Sequence, residues 1–302
     1  MLRISIIGSD SFIATHFYNS LPHKEKVKLF SRQCSGKQGE IIINDFFHIT
    51  SSDFVNSEVL INFAAIVHQP KLKNIALYKR VNTDLPIYLA KQAKKAGIKH
   101  FIQMSSIAIY GHVSQINEST PELPTNLYGK SKLDADNVLL SLQNDNFKVS
   151  IIRPPMVYGG GKAPGNMQKL IQFAHKGIPL PFKGVVNERD FIHIYNLVQV
   201  LNTIVEIKIN KRVIIPTDRQ SVSTEKLIKL IKTHSSQNIR QITIPRIFHI
   251  LLKKSIPSVY SKLFGTLKVK CNLSKDIYNP HFSIEAGIKE MIEAIEKKNG
   301  VI

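Results

Sequence analysis

Short β-branched runs alternate with amphipathic helical patterns along the first half of the chain, and this alternation limits the possible folds most. RISIIG (residues 3–8) is an apolar run that ends in glycine, and residues 9–21 then place apolar side chains at helical spacing. The same change of period recurs, with further predicted strands in VKLFSR, VLINFAAIV, HFIQMSS and KVSIIRPPMVYG. Strands that alternate with helices form a parallel sheet covered on both faces. The sequence therefore predicts an α/β fold.

The pattern changes after about residue 158, where glycine- and proline-rich segments separate mainly helical stretches. We interpret residues 1–158 and 186–216 as a Rossmann-type domain that binds NAD(P). Residues 159–185 and 217–302 are interpreted as a smaller, mainly helical lobe that binds the substrate.

Charge and composition exclude several classes of protein. The net charge is +19, but the lysines are spread along the chain and no nucleic-acid-binding motif is present. An anionic small substrate or an anionic surface fits this charge better. The apolar runs are too short to cross a membrane, and no signal peptide is recognised, which predicts a cytoplasmic protein. Cys34 and Cys271 are isolated and no HExxH occurs, so we expect no metal site.

Ligands of a parallel sheet bind beyond the carboxyl ends of its strands, so the residues at these positions are the candidates for ligand contacts. After the first strand, GSDSFIA keeps Gly8 but has Ser11 and Ala14 where a dinucleotide fingerprint has glycine. After the second strand, Ser31 and Arg32 stand where NAD-binding proteins carry an acid. A guanidinium suits a 2′-phosphate, which favours NADP over NAD.

Two later strands end in small or polar residues. NFAAIVH places Ala64 and Ala65 where a nicotinamide ribose passes close to the backbone, with His68 directed at the substrate. Ser105 and Ser106 follow the strand HFIQM, and either hydroxyl is placed to bond the oxygen that is oxidised or reduced. Each segment is equally compatible with a purely structural turn.

YGKSK (128–132) places a tyrosine and a lysine four residues apart at the start of a predicted helix. Residues at this spacing share one face, so the Lys132 ammonium is expected to favour the phenolate of Tyr128. A tyrosine whose pKa is lowered towards neutrality can act as an acid or base on a hydroxyl or carbonyl.

Taken together, these motifs resemble the extended short-chain dehydrogenase/reductases. Gly8, NFAA, SSIAIYG, YGKSK, RPPMVYGGG and RDFIHIYNLV occur in the order and spacing of that family. The chain is most similar to the branch of nucleotide-sugar epimerases, dehydratases and reductases, over essentially its full length.

The resemblance implies a role for each matching residue. Tyr128 is then the catalytic acid/base, Lys132 lowers its pKa and binds the nicotinamide ribose, and Ser106 is the matching hydroxyl. The implied cofactor contacts are Gly8, Ser11, Phe12, Ile13, Ser31, Arg32, Ala64, Ala65, Ser105, Lys132 and Pro154. The implied substrate contacts are His68, Ser106, Asn166 and Arg189, with the last two holding the diphosphate of a sugar nucleotide.

The same resemblance bears on the activity. Dehydratases of this branch carry an Asp-Glu pair after the serine, where this chain has Ile107 and Ala108. The segment from IIRPP to PLPF is similar to the reductases that act on UDP-4-keto-6-deoxy-N-acetylhexosamines in capsule and O-antigen pathways. We therefore expect NAD(P)H-dependent reduction to UDP-N-acetylfucosamine or UDP-N-acetylquinovosamine. The alternatives are a UDP-sugar C4 epimerase with retained NAD and, more distantly, a non-catalytic dinucleotide-binding regulator.

The expected partners follow from the same pattern. We expect a UDP-sugar substrate and no nucleic acid. Residues 246–264 are basic and apolar at near-helical spacing, which indicates either weak peripheral membrane contact or a helix that packs the substrate lobe. A homodimer through a four-helix bundle, to which the YGKSK helix contributes, is typical of the branch.

Overall fold

A computed structural model describes residues 2–67, 74–161, 163–207 and 211–298. The chain divides into two compact units. The first comprises Met1–His112, Pro121–Pro154 and Val198–Ile215, and the second comprises Val113–Thr120, Pro155–Leu197 and Pro216–Ile302. Compared with the predicted domain boundaries, residues 113–120, 155–158, 186–197 and 216 fall in the second unit instead of the first.

The first unit is built on a parallel sheet of seven strands. In chain order these strands are β1 Ile4–Ile7, β2 Val27–Ser31, β3 Glu40–Ile42, β4 Val59–Asn62, β5 His100–Met104, β7 Lys148–Ile152 and β10 Val213–Ile214. Their spatial order is β3-β2-β1-β4-β5-β7-β10, so the direction of winding reverses between β1 and β4. A ligand of a doubly wound sheet binds at such a reversal. The predicted α/β Rossmann-type fold is confirmed.

Helices cover both faces of this sheet. They are α1 Phe12–Ser20, α2 Ile75–Tyr78, α3 Leu85–Lys95, α4 Leu127–Ser141 and most of α6 Ile194–Ile207. A π-helical segment, Lys79–Asp84, joins α2 to α3. Consecutive residues of the inner strands, such as Ile6 with Ile7 and Ile151 with Ile152, are fully buried. Continuous apolar strands therefore form because both faces need apolar side chains.

The second unit has short paired strands and most of the remaining helices. The strands are β6 Gln115–Ile116, β8 Met156–Tyr158, β9 Phe191–His193 and β11 Lys268–Val269, which pair as β8 with β9 and β6 with β11. The helices are α5 Asn166–His175, α7 Thr224–His234, α8 Arg246–Ser255, α9 Pro257–Phe264 and α10 Ile284–Lys298. Asp218 organises the interior, since it accepts hydrogen bonds from the Tyr158 hydroxyl at 2.7 Å and Asn196 Nδ2 at 2.7 Å.

Two observations limit the function of the described residues. None of the helices described is both long and apolar enough to cross a membrane. Over the same residues, no group of histidine, cysteine and acidic side chains is arranged to hold a metal ion.

Candidate active site

A cleft of about 520 Å³ opens in the first unit at the carboxyl ends of β1, β2 and β4. Five of the predicted cofactor residues line it: Gly8, Ser11, Arg32, Ala64 and Ala65. The cleft lies where the winding of the sheet reverses, which is the expected site of a dinucleotide.

The turn after β1 fits the diphosphate of such a cofactor. Gly8 has a φ of 72°, and a Cβ atom there would lie 2.8 Å from the backbone nitrogen of Ala64, so only glycine suits this position. Ser11 caps α1 by accepting a hydrogen bond from the backbone nitrogen of Ala14. The hydroxyl of Ser9 is buried and has no hydrogen-bond partner among the described residues. A helix N-terminus with an unsatisfied hydroxyl in its turn suits a phosphate group.

The other end of the cleft contains polar residues that the sequence analysis missed. Arg80 forms an ion pair with Asp45 at 2.6 Å, and its guanidinium lies 4.6 Å from the centre of the Phe47 ring. The pKa of Asp45 is lowered mainly by the hydrogen bond from the backbone nitrogen of Phe47. The positive charge of Arg80 lowers it further. Asp45 and Asn44 follow β3, and a search of every strand end, including this short one, would have found them.

Ser31 does not line the cleft, although it was predicted to bind the cofactor. It is buried, and its hydroxyl donates to Gln33 O at 2.9 Å and to Glu40 Oε1 at 3.0 Å. Burial opposes the ionisation of Glu40, but hydrogen bonds from Ser35, Ser31 and Gly36 lower its pKa to about 2. Ser31 therefore holds the loop after β2, while Arg32 is the residue of this pair that lines the cleft.

Ser106 and Tyr128 meet at the carboxyl end of β5, and the side chain of Lys132 reaches the last residue of the same strand. Ser106 caps a short 3₁₀ turn, Ile107–Tyr110, and a hydrogen bond joins its hydroxyl to that of Tyr128. Lys132 is 1% exposed, and its Nζ donates to Met104 O at 2.9 Å. Ser106 and Tyr128 are therefore in contact, and the Lys132 ammonium is bound at the end of the strand that leads to Ser106.

Gly129 makes this meeting possible. A Cβ atom at Gly129 would lie 2.4 Å from the carbonyl oxygen of Ala108, in the turn that Ser106 caps. The first turn of α4 is anchored by Asn126, whose Oδ1 accepts from the backbone nitrogen of Gly129 at 2.9 Å. Gly129, which follows Tyr128, therefore lets α4 approach the turn capped by Ser106 closely.

We expect Gly129→Ala to reduce turnover at least about 10-fold, because the added methyl group must push Ala108 away and separate Ser106 from Tyr128. Overpacking of this kind costs about 1–3 kcal/mol of stability. Steady-state kinetics and urea unfolding would measure both effects. Gly36→Ala is a matched control for added bulk, because a Cβ atom there meets no heavy atom within 4 Å, although its φ of 72° adds backbone strain. Wild-type turnover in Gly129→Ala would contradict the proposed contact.

The charges at this site differ from the sequence-based expectation. Burial raises the pKa of Tyr128 to about 12, and the hydrogen bond from Ser106 only partly opposes this effect. Burial also lowers the pKa of Lys132 to about 8. The expectation that Lys132 alone draws the phenol towards neutrality is therefore not met, because the loss of water around the phenol outweighs any favourable charge.

The buried ammonium of Lys132 is expected to destabilise the fold at neutral pH. The unfolded chain binds this proton up to the ordinary value of 10.5, whereas the folded chain releases it at about 8, so stability rises with pH between these values. We expect Lys132→Met to increase the free energy of unfolding by about 2 kcal/mol at pH 7. This is less than the free energy that corresponds to the full pKa shift of Lys132, because Asp136 loses a positive neighbour in the variant.

Urea unfolding of wild type and Lys132→Met from pH 7 to pH 10 would measure this difference. The gap between the two proteins should narrow as pH rises from 8. Lys91→Met, at an exposed position of α3, provides the control. A gap that is absent at pH 7, or that widens above pH 8, would contradict the buried charge.

A network of buried polar and charged side chains surrounds Asp136 on the buried side of α4. Asp136 lies on α4 one turn beyond Lys132, and its Oδ2 accepts from Arg153 Nε at 3.0 Å and from the Ser105 hydroxyl at 2.8 Å. Arg153 also donates to Tyr110 Oη at 3.0 Å and forms an ion pair with Glu122. Ser105, a predicted cofactor contact, thus uses its hydroxyl within the protein.

Asn82 links the cleft to the catalytic helix. Its amide exchanges hydrogen bonds with the backbone of Ile66, at 2.9 and 3.0 Å, and donates to the Ser131 hydroxyl at 3.1 Å. Asn82 lies in the π-helical segment, a distortion that often occurs at functional sites. The sequence analysis did not select this residue, because a lone asparagine in a helix carries no local signal.

The remaining predicted contacts occupy varied positions. Phe12 packs its ring 4.4 Å from that of His16, and Phe12 and Ile13 are partly buried on α1 outside the lining of the cleft. Pro154 is buried, and its carbonyl accepts from the backbone nitrogen of Ile107 at 3.3 Å, which ties the serine turn to the strand end. His68 lies outside the described residues.

The two predicted diphosphate contacts belong to the second unit. Asn166 is exposed at the start of α5. Arg189 is partly buried, and its Nη1 donates to Gly265 O at 2.9 Å and Ser261 O at 3.3 Å at the end of α9. Burial lowers the pKa of Arg189. This guanidinium therefore already stabilises a helix end within its own unit.

Comparison with known proteins agrees with this geometry. The model of the NAD dependent epimerase/dehydratase family matches residues 4–214. The chain belongs to this family. It is 30% identical to a UDP-glucose 4-epimerase of Vibrio cholerae over 98% of this chain and 96% of that protein. It is 26% identical to an N-acetyl-α-D-glucosaminyl-diphospho-undecaprenol 4-epimerase of Escherichia coli O157:H7 over 65% of this chain and 61% of that protein.

Solved structures of the family share the fold. MoeE5, determined in complex with UDP-glucose and NAD, matches with a TM-score of 0.79 at 19% identity and covers 98% of this chain and 99% of its own. The UDP-Glc/GlcNAc 4-epimerase of Campylobacter jejuni matches with a TM-score of 0.76 at 18% identity, covering 98% of this chain and 100% of its own. The relative that aligns over almost the whole chain at 30% identity is a UDP-glucose 4-epimerase, not a 4-keto-sugar reductase.

Proposed function

We propose that this protein is an NAD-dependent 4-epimerase of a UDP-linked hexose. The observation that carries the proposal is the hydrogen-bonded Ser106–Tyr128 pair in a chain related over 98% of its length to a UDP-glucose 4-epimerase. The epimerase, which was the alternative in the sequence analysis, thus becomes the first proposal, and the reductase becomes the second. The segment that resembles the 4-keto reductases covers only part of the chain, whereas the epimerase relationship extends along almost all of it.

Tyr128 and Ser106 carry the proton chemistry in this proposal. Tyr128 removes the proton of the sugar 4-hydroxyl and later returns it, while the Ser106 hydroxyl bonds the same oxygen. NAD, when bound in the cleft, would supply an acceptor that takes the C4 hydride and gives it back to the opposite face of the sugar, together with a positive charge. Burial raises the pKa of Tyr128 to about 12 without that charge, so the positive charge of bound NAD would have to lower this pKa before Tyr128 can accept the proton. Lys132 fixes the position of α4 relative to the end of β5, and Asn82 fixes it relative to the wall of the cleft.

The direct test is to incubate the purified protein, without added cofactor, with UDP-glucose and with UDP-N-acetylglucosamine. Appearance of the corresponding galacto-sugar by NMR, with bound NAD released on denaturation, is the expected result. The panel includes an undecaprenol-linked N-acetylglucosamine diphosphate, because the E. coli relative is named for that substrate. No interconversion of any of the three would reject the epimerase proposal.

Reduction of a UDP-4-keto-6-deoxy-N-acetylhexosamine is the second candidate, and Arg32 favours it. This arginine lines the cleft after β2, and the acid that usually binds the adenosine ribose is missing at 31 and 32. Stoichiometric consumption of NADPH with the keto sugar would support the reductase, and its absence together with epimerisation would exclude it. NADPH is the cofactor favoured under this second candidate.

Arg32→Gln tests the cofactor specificity. Loss of the guanidinium is expected to weaken NADPH binding about 10-fold and NADH binding less than about 2-fold, since only the former carries a 2′-phosphate. Fluorescence titration of the reduced cofactors would measure both constants, with Arg212→Gln, exposed elsewhere in the first unit, as the control. Equal losses for the two cofactors would contradict a role for Arg32 in recognising the phosphate.

A further inference from the structure

Four apolar side chains on α8 face outward from the second unit. Ile247, Phe248, Ile250 and Leu251 are exposed by 64%, 54%, 51% and 52%. Their spacing places them on one side of the helix. On the other side, the His249 ring packs 5.0 Å from the ring of Phe264 in α9. The inner face of α8 is therefore used within the unit, and the outer apolar face is open to solvent in the described structure.

This surface extends beyond the helix. The backbone nitrogen of Ile242 donates to Leu180 O at 3.0 Å, and that of Lys183 donates to Ile242 O at 3.2 Å, so the segment 178–186 lies beside the chain that leads into α8. Ile178 and Val186 in this segment are exposed by 45% and 89%, and Ile242 in the chain before α8 is exposed by 49%. We call these three residues and the four of α8 the apolar face.

Positive charge predominates around the apolar face, although Glu225 accepts a hydrogen bond from the backbone of Gly184 and Glu188 is exposed nearby. No aspartate or glutamate occurs between Glu225 and Asp276, a stretch that contains eleven lysine and arginine residues. Lys253 and Lys254, in the last turn of α8, are exposed, as is Lys183. Positive charge beside exposed apolar side chains is the pattern of a helix that lies in a membrane interface.

We propose that the apolar face of the second unit binds the surface of an anionic phospholipid bilayer. The lysines meet the acidic headgroups, and the side chains of α8 insert at the boundary between headgroups and acyl chains. A second copy of this chain packed against α8 would fit poorly, because a two-fold interface along this helix would bring together the lysines of the two copies, and α8 itself carries no acid. This inference does not depend on which sugar the enzyme accepts.

Flotation of the full-length protein with vesicles tests the proposal. We expect binding to phosphatidylcholine vesicles that contain about 30% phosphatidylglycerol, and at least 10-fold weaker binding to pure phosphatidylcholine. Raising the salt from 50 mM to 500 mM is expected to weaken binding about 10-fold, because screening reduces the attraction between charges. Equal binding to both vesicle types, or no binding at low salt, would overturn the proposal.

Variants separate the charge from the apolar contact. Lys253→Gln/Lys254→Gln should reduce binding to the anionic vesicles at least 5-fold and reduce the salt dependence. Ile247→Ser/Leu251→Ser should remove the binding that persists at high salt. Lys91→Gln/Lys95→Gln, on exposed positions of α3 in the first unit, is the matched control. An equal loss in the control pair would overturn the assignment to this face.

A single tryptophan locates the contact directly. The chain contains no tryptophan, so Phe248→Trp introduces a unique fluorophore on the apolar face, and Leu123→Trp introduces one at an exposed position of the first unit. Anionic vesicles should shift the emission of Phe248→Trp to shorter wavelength and leave that of Leu123→Trp unchanged. A shift of Phe248→Trp that depends on protein concentration without vesicles would instead assign the face to a second copy and overturn the membrane proposal.

Discussion

Replacement of Tyr128 by phenylalanine is expected to reduce kcat at least about 1,000-fold, the range typical of a lost general acid or base. Phenylalanine keeps the ring and removes only the hydroxyl that bonds Ser106. Tyr128 precedes Gly129, whose close packing against Ala108 is not altered by this substitution. We therefore expect the backbone to keep its position. NAD binding is therefore expected to change less than about 3-fold, since the cleft lies at the ends of β1, β2 and β4.

Kinetics of sugar interconversion and titration of NAD would separate these two effects. Ser106→Ala is the graded control, with an expected loss of about 10–100-fold, because it removes a hydrogen bond to the reacting oxygen but leaves the acid/base in place. Tyr88→Phe, in the first unit on α3, removes a tyrosine hydroxyl that donates to Ile49 O at 2.7 Å and should leave turnover near the wild-type value. Turnover of Tyr128→Phe within about 5-fold of wild type would exclude Tyr128 as the acid/base.

Arg153→Met is expected to destabilise the protein by about 3–5 kcal/mol, the largest effect on stability that we predict. Arg153 is 1% exposed and Asp136 is fully buried, so removal of the guanidinium leaves a carboxylate in an apolar interior. Burial already raises the pKa of Asp136 to about 6, and the positive charge of Arg153 opposes this effect. Without that charge, Asp136 must take up a proton or be hydrated by local unfolding.

Urea unfolding at pH 7 would measure the loss. Arg212→Met, at an exposed position, should change stability by less than about 0.5 kcal/mol. Arg153→Met/Asp136→Leu removes both charges and should recover at least half of the loss, because no uncompensated carboxylate remains. If the double variant is less stable than Arg153→Met, the two residues do not act as a buried ion pair.

Several polar side chains that were predicted to bind ligands have partners within the protein. Ser31 ends β2 and Ser105 follows β5, positions typical of cofactor contacts, yet their hydroxyls bond Glu40 and Asp136. Arg189 was expected at a diphosphate and instead donates to backbone carbonyls of its own unit. A hydroxyl or guanidinium has several possible partners, and the choice depends on residues far away in sequence. The Ser105–Asp136 pair, for example, spans 31 positions.

The sequence by itself determined the parallel sheet, the cleft at the carboxyl ends of its strands and the placement of Tyr128 and Lys132 on one helix, whose catalytic roles stay predictions. These features depend on local signals: apolar periodicity, the glycine after β1 and the four-residue spacing on one helix. Only the tertiary structure decided the Asp136–Arg153 pair, the link through Asn82 and the open face of α8. The physical reason is that burial and long-range partners are set by packing, which no local pattern of residues records.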